Sequence, residues 1–225
     1  ALATLGRYEE ARRDFARACV PILQHELELL CQAGADVVQI DDPHLCLLVD
    51  PEVRAQHADP DEEARFTVSL INELVAGVKG VRLAVHLCRR AGARVRGEAC
   101  HTGGYEPLIP HLNQLQVNHL TMEFTSPGAG EARVFAQLRE DLEIGLGCVS
   151  VHPGQVDTPE EIAARVEQAL EFLPVERVVL NPDCGFAPGT AHDTPLEEAY
   201  LKLRAMTEAA RILRARFGGS TSSPP

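Results

Sequence analysis

From Tyr8 to Ala33 apolar side chains recur at Ala11, Phe15, Ala18, Val20, Leu23, Leu27 and Leu30, a helical stripe ended by Gly34. The stretch ADVVQIDD then changes to a short β-branched run closing on Asp41 and Asp42, which predicts a strand. The same alternation recurs along the chain. A helix over 61–78 precedes the strand-like VRLAVHLC, and a shorter one over 106–116 precedes HLTMEF. Helices over 131–143, 158–172 and 194–217 flank two further apolar runs, GLGCVSVH and RVVLNPDC.

Five near-continuously apolar strands alternating with helices call for a parallel sheet covered by helices. Each strand closes on polar residues, which suits a (β/α)8 TIM-type barrel whose C-terminal rim carries chemistry. No glycine-rich phosphate fingerprint follows any strand, so a doubly wound dinucleotide fold has less support. A closed barrel has eight strands. The expectation is therefore a partial barrel over 1–217 made of the later five βα units, with the first strands upstream of Ala1 or supplied by another chain. The low-complexity end, 218–225, reads as a disordered tail.

Composition narrows the function classes. A formal charge of −12 argues against a nucleic-acid surface, which needs clustered Lys and Arg. No uninterrupted apolar run reaches membrane-spanning length, and the N-terminal stretch lacks the basic-then-apolar order of a signal peptide. Seven cysteines, dispersed through apolar segments, suggest a reducing, cytoplasmic setting.

The strand ends carry Asp41 and Asp42, His86 and Cys88, Glu123, His152, and Asp183 with Cys184. In a barrel such ends converge on one rim. His86 and Cys88 lie two apart, so on a strand they share a face. Neutral imidazole, two thiolates and a carboxylate are ligands that zinc accepts, which makes His86, Cys88, Glu123 and Cys184 a candidate tetrahedral set. A lone strand-end Cys is ordinarily a small buried hydrophobe, and it is the combination that points to a metal. Cys100 and His101 form a competing pair in a loop. Cys19, Cys31, Cys46 and Cys148 read as core or loop residues.

HLC at 86–88, Glu123 in LTMEF and Cys184 in LNPDCGF resemble, in order and type, the zinc ligands of the cobalamin-independent methionine synthase family. VQIDDPHL is similar to that family's QIDEPAL segment, and PEEIAARVEQAL with VERVVLNPDCGF resembles its penultimate helix and last strand. The likeness runs from about residue 10 to 212. It implies the catalytic, zinc-binding barrel of an S-methyltransferase of methionine biosynthesis, moving a methyl group onto the thiol of homocysteine. It also implies that Asp41, with Asp42 facing the same cavity, binds the homocysteine amino group, and that His152 protonates the leaving group. Asp42 has an alternative as a cap of the following loop and His152 as a loop histidine bonding local backbone, while Asp183 reads as orienting a ligand or capping the next turn.

The methyl donor is open between a methyl-folate and a methyl-corrinoid carried by another protein, and a homo-oligomer fits as well as a monomer. GGYEPL, at 103–108, is closer to short relatives such as the epoxyalkane:coenzyme M transferases, so alkyl transfer to another thiol is an alternative. A non-catalytic zinc-binding barrel remnant is a third reading. The uroporphyrinogen decarboxylase fold accounts less well for His86, Cys88 and Cys184.

Overall fold

The computed structural model describes residues 2–89, 101–125, 128–186 and 194–218. Apart from Gly218, the expected tail lies outside the described residues. The chain opens with α1 (Leu2–Gln32). Gly34, at φ +85°, lets the N–H of Ala35 reach Leu30 O and its own N–H reach Cys31 O, which satisfies the last carbonyls of the helix.

Five parallel strands follow: β1 (Val37–Asp41), β2 (Arg82–Leu87), β3 (His119–Glu123), β4 (Glu143–Val149) and β5 (Val178–Pro182). They pair in chain order, each with its sequence neighbour. A doubly wound sheet would reverse that order at a switch point, and this one does not. The fold is thus a parallel five-stranded α/β sheet.

Register aligns the apolar positions in rows. Val38 faces Leu83, Val85 faces Leu120, Met122 faces Leu146, and Leu146 faces Leu180. These rows join one core with Val68, Ile71 and Leu74 of α4 (Pro60–Val75) and Ile162, Ala163 and Val166 of α6 (Pro159–Leu170). Period two puts Gln39, Asp41, His86, Thr121, Glu123, Gly145, Gly147 and Asn181 on the other face. The strands are therefore two-faced, rather than apolar throughout as their composition suggests.

Short helices bridge β1 and α4: α2 (Pro43–Leu47) and α3 (Pro51–Arg54). Helix α4 starts on Asp59 and Pro60, and α6 on a capping box between Thr158 and Glu161, so both start where the sequence signals a start. Helix α7 (Leu196–Phe217) closes the chain. Two expected helices come out compact. The first is a 3-10 turn, Glu106–Leu108, running into α5 (Ile109–Leu112). Asn72 of α4 captures the Gln116 N–H at 2.7 Å, which takes a donor that a longer helix would use. The second is the 3-10 helix Ala132–Gln137. Ala132, Phe135 and Leu138 are all buried, and three-residue spacing shares one face only at three residues per turn.

Glu63, in the first turn of α4, anchors α1. Its carboxylate takes Arg12 at 2.6 Å, Arg13 at 3.2 Å and His44 Nε2 of α2 at 2.9 Å. Burial by itself pushes the Glu63 carboxyl up, but the hydrogen bonds from His44 and Arg12 and their charges outweigh it and hold it low. The folded chain therefore binds this proton less tightly than the unfolded chain. The stabilisation is present above the ordinary glutamate range and is lost as pH falls through the lowered folded value. Glu63→Gln is expected to be less stable than the parent at neutral pH and to lose less further stability on acidification, measured as urea midpoints from pH 7 downward. Parallel profiles for the two proteins would show that Glu63 is not the responsible group.

Candidate metal centre

His86 lies next to the last residue of β2, Cys88 follows that strand, and Cys184 stands just past β5. Because β2 and β5 end at the same edge of one parallel sheet, residues nearly a hundred positions apart meet. Cys88 Sγ is 3.7 Å from Cys184 Sγ, which is 3.7 Å from His86 Nε2. The donor atoms of all three lie within 4.8 Å of one another, and no other group of three or more such residues converges in this way among the described residues. Ligands at about 2.0–2.3 Å from a tetrahedral ion stand about 3.3–3.8 Å apart, so the two edges at Cys184 fit a zinc-sized centre.

With no ion between them, the three donors shift one another's titration. Burial pushes the His86 imidazole down, but a hydrogen bond to Cys88 and the negative charges of Cys88, Asp41 and Glu123 outweigh it and raise its pKa. Its Nδ1 is buried and has no hydrogen-bond partner among the described residues. The Cys184 thiol is pushed far up by its hydrogen bond with Cys88 and then by burial. Two adjacent thiols cannot both ionise without a compensating cation, and a metal ion supplies one. Cys148, by contrast, is pushed up to about 12 chiefly by burial and packs as a hydrophobe.

Glu123 ends β3 fully buried, and its Oε1 accepts the Arg89 N–H at 2.7 Å. It stands beside the triad, close enough to raise the pKa of His86 and Cys184, but is not one of the three converging donors. Arg89 has no warning in the sequence, where a charge just past a strand reads as solvated. Its guanidinium is buried, donates to Gly103 O at 2.5 Å, Gly128 O at 3.1 Å and Ala129 O at 3.3 Å, and lies 4.2 Å over the Tyr105 ring. It joins the chain after β2 to the chain after β3.

Asp41 and Asp42 separate. Asp41 is exposed to a cavity of about 540 Å³ lined by Gln39, His86, Cys88, Thr121 and Cys184 among others. Gln39 Nε2 donates to its carboxylate at 2.9 Å, and Gln39 Oε1 accepts from Thr121. Asp42 instead caps α2, its Oδ1 accepting the N–H groups of His44 and Leu45. Its acid is raised by burial, although the cap bonds pull the other way.

His152 is not at the end of a strand. β4 stops at Val149, and His152 sits exposed in the following turn, outside the residues that line the cavity. That turn is held by α7: the buried Lys202 Nζ donates to Ser150 O and His152 O, and Glu198 accepts the Gly154 N–H. His101 lies against Asp50 at 3.4 Å and outside the triad, while Cys100 falls outside the described residues.

Comparison with known proteins adds the following. The family described as "Cobalamin-independent synthase, Catalytic domain" matches residues 3–212. A methionine synthase of Sulfurisphaera tokodaii is 26% identical over 209 residues, 93% of this chain and 52% of that protein. One from Saccharolobus islandicus is 28% identical over the same length, covering 54% of that protein. The chain thus spans about half the length of the curated relatives it matches. A B12-independent methionine synthase from a Shewanella species superposes with a TM-score of 0.73 at 21% identity, over 91% of this chain and 56% of that one. At that identity the likeness concerns the fold.

The split between the two aspartates is measurable. Asp42→Ala is expected to cost about 1 kcal/mol, as loss of a helix cap does. Asp41→Ala should stay within about 0.5 kcal/mol, as an exposed substitution does. Equal losses in urea unfolding would mean that Asp42 is not a working cap.

Proposed function

The chain belongs to the cobalamin-independent methionine synthase family, and on that premise we propose that His86, Cys88 and Cys184 hold zinc in a site that methylates the thiol of homocysteine to methionine. The observation that carries this is the convergence of one imidazole and two thiols at tetrahedral edge lengths. Zinc bound there would supply the positive charge that keeps a substrate thiol deprotonated at neutral pH.

The chain's own residues then have separate tasks. Asp41 presents its carboxylate to the cavity, oriented by Gln39, and binds the ammonium group of homocysteine through a charge-assisted hydrogen bond. That contact fixes the sulfur relative to the triad, which turns a bimolecular encounter into a positioned one. Glu123, beside the triad with its Oε1 on the Arg89 N–H, would complete the set as a fourth donor. The methyl donor is a methyl-folate or a methyl-corrinoid: His152, on the turn anchored by Lys202, would deliver the proton that the nitrogen of a methyl-folate takes up as it leaves, whereas a corrinoid keeps the bonding electron pair on its cobalt and needs none. An imidazole is suited to that transfer near neutral pH. Asp42 serves the cavity indirectly, by capping the helix that borders it.

The sheet is read as five consecutive staves of a (β/α)8 barrel. The unreversed strand order and the polar face ending in the site support this, and closure would take further strands on the edges of β1 and β5 that are unpaired among the described residues.

The test is metal content per chain, followed by homocysteine titration of cobalt-substituted protein. About one metal per chain is expected, with a thiolate-to-cobalt band that grows with homocysteine and grows less in Asp41→Asn. Full metal stoichiometry in both Cys88→Ser and Cys184→Ser would overturn the assignment. A band that responds to coenzyme M but not to homocysteine would reassign the thiol.

A further inference from the structure

We propose that Asp183 is a positioning residue that sets where Cys184 stands relative to His86 and Cys88, by strapping the end of β5 to the chain leaving β3 across the intervening strand β4. The inference rests on the triad being a metal centre. It concerns how the triad's spacing is held.

β3 and β5 are not neighbours in the sheet, so no backbone ladder joins them. Asp183 follows β5 and precedes Cys184, and it is 1% exposed. Its Oδ1 accepts the N–H of Phe124 at 2.8 Å and of Thr125 at 2.9 Å, while Oδ2 accepts from Thr125 Oγ1. A buried carboxylate is costly unless hydrogen-bonded, and these three donors anchor it at one place.

The strap needs a gap in β4, and Gly147 provides it. A Cβ there would stand 2.5 Å from Asp183 Oδ1, 2.6 Å from Met122 O and 3.0 Å from Asp183 Cα. The register between β4 and β5 shifts between Gly147 and Val149, and the Asp183 N–H continues the pairing onto Val149 O at 2.9 Å. The Thr125 N–H also reaches Gly147 O at 3.0 Å. Three strand ends are thereby tied together at the level of the triad. Cys184, the next residue, has its sulfur 3.7 Å from both Cys88 Sγ and His86 Nε2. Cys88 and His86 are carried by β2 on the far side of β3, so the strap covers two of the three strand-to-strand steps between them and Cys184, and the β2–β3 ladder covers the third.

The experiment compares the parent chain with Asp183→Ala, Asp183→Asn and Thr125→Val. Two quantities are read: cobalt affinity by competition with a chromophoric chelator, together with the thiolate-to-cobalt band, and the rate at which diamide closes a Cys88–Cys184 disulfide in metal-free protein. The second needs no metal and, divided by each variant's rate of thiol alkylation to remove differences in thiol ionisation, reports the spacing. Thermal unfolding accompanies both, since a merely structural residue would lower the midpoint and leave the affinity and closure rate of the folded protein unchanged.

Asp183→Ala is expected to bind cobalt about 10–100-fold more weakly, as loss of a group orienting a ligand does, with an altered band and slower closure. Asp183→Asn keeps an accepting oxygen for the two N–H groups and should fall between. Thr125→Val removes only the hydroxyl arm and keeps the side chain's shape, so it provides the test if Asp183→Ala does not fold. Its affinity and closure rate should fall in the same direction. Parent-like affinity, spectrum and closure in the folded variants would overturn the proposal. A parent chain that binds no cobalt would overturn the metal-centre reading, and unchanged closure rates in the variants would then separately reject the strap.

Discussion

A parallel sheet sends alternate side chains to opposite faces, and every strand here applies that rule in the same register. The row from Val38 through Leu83 and the row from Ile40 through Val85, Leu120 and Ile144 meet the helices. Their in-between neighbours, from Gln39 to Asn181, are then left facing away from the core. One apolar layer is what makes a second, polar face available, and a slip of one residue in any strand would exchange the two. The site is thus a consequence of the packing on the other side of the sheet.

Buried charges at and around the strand ends impose the next constraint. Asp183, Glu123, Arg89 and Lys202 are almost entirely buried, and each meets partners from a different segment of chain. Because a buried charge must be hydrogen-bonded to be tolerated, these residues act as joints between loops that the sheet alone does not connect. Arg89 joins the segments after β2 and β3, Asp183 those after β3 and β5, and Lys202 the turn after β4 to α7. The rim is held by polar contacts, whereas the layer below it is held by apolar area.

A division of labour between neighbours follows. Asp41 and Asp42 differ by one position on an emerging strand, and that single step turns one carboxylate toward the cavity and the other into the start of α2. Asp183 and Cys184 repeat the pattern, with one side chain bracing and the next converging on the triad. Adjacent residues at a strand end naturally take structural and chemical roles in turn, because their side chains diverge.

Much of the architecture can be read in the chain itself. Gly34, Pro60 and the Thr158 capping box mark helix boundaries by local backbone chemistry, and short apolar runs between helical stretches mark all five strands. The pairing of imidazole and thiol at 86 and 88 is likewise local, since period two alone puts them on one face. What the sequence could not decide was anything that depends on a distant partner. The compact 3-10 segment at 132–137, the burial of Arg89, the reach of Asp183 over Gly147 and the placing of His152 beyond β4 each arise from contacts between segments that are not adjacent in the chain. Propensity and periodicity describe a residue's own few neighbours, whereas the 3.7 Å between Cys88 and Cys184 exists only once two strand ends are fixed in the same sheet.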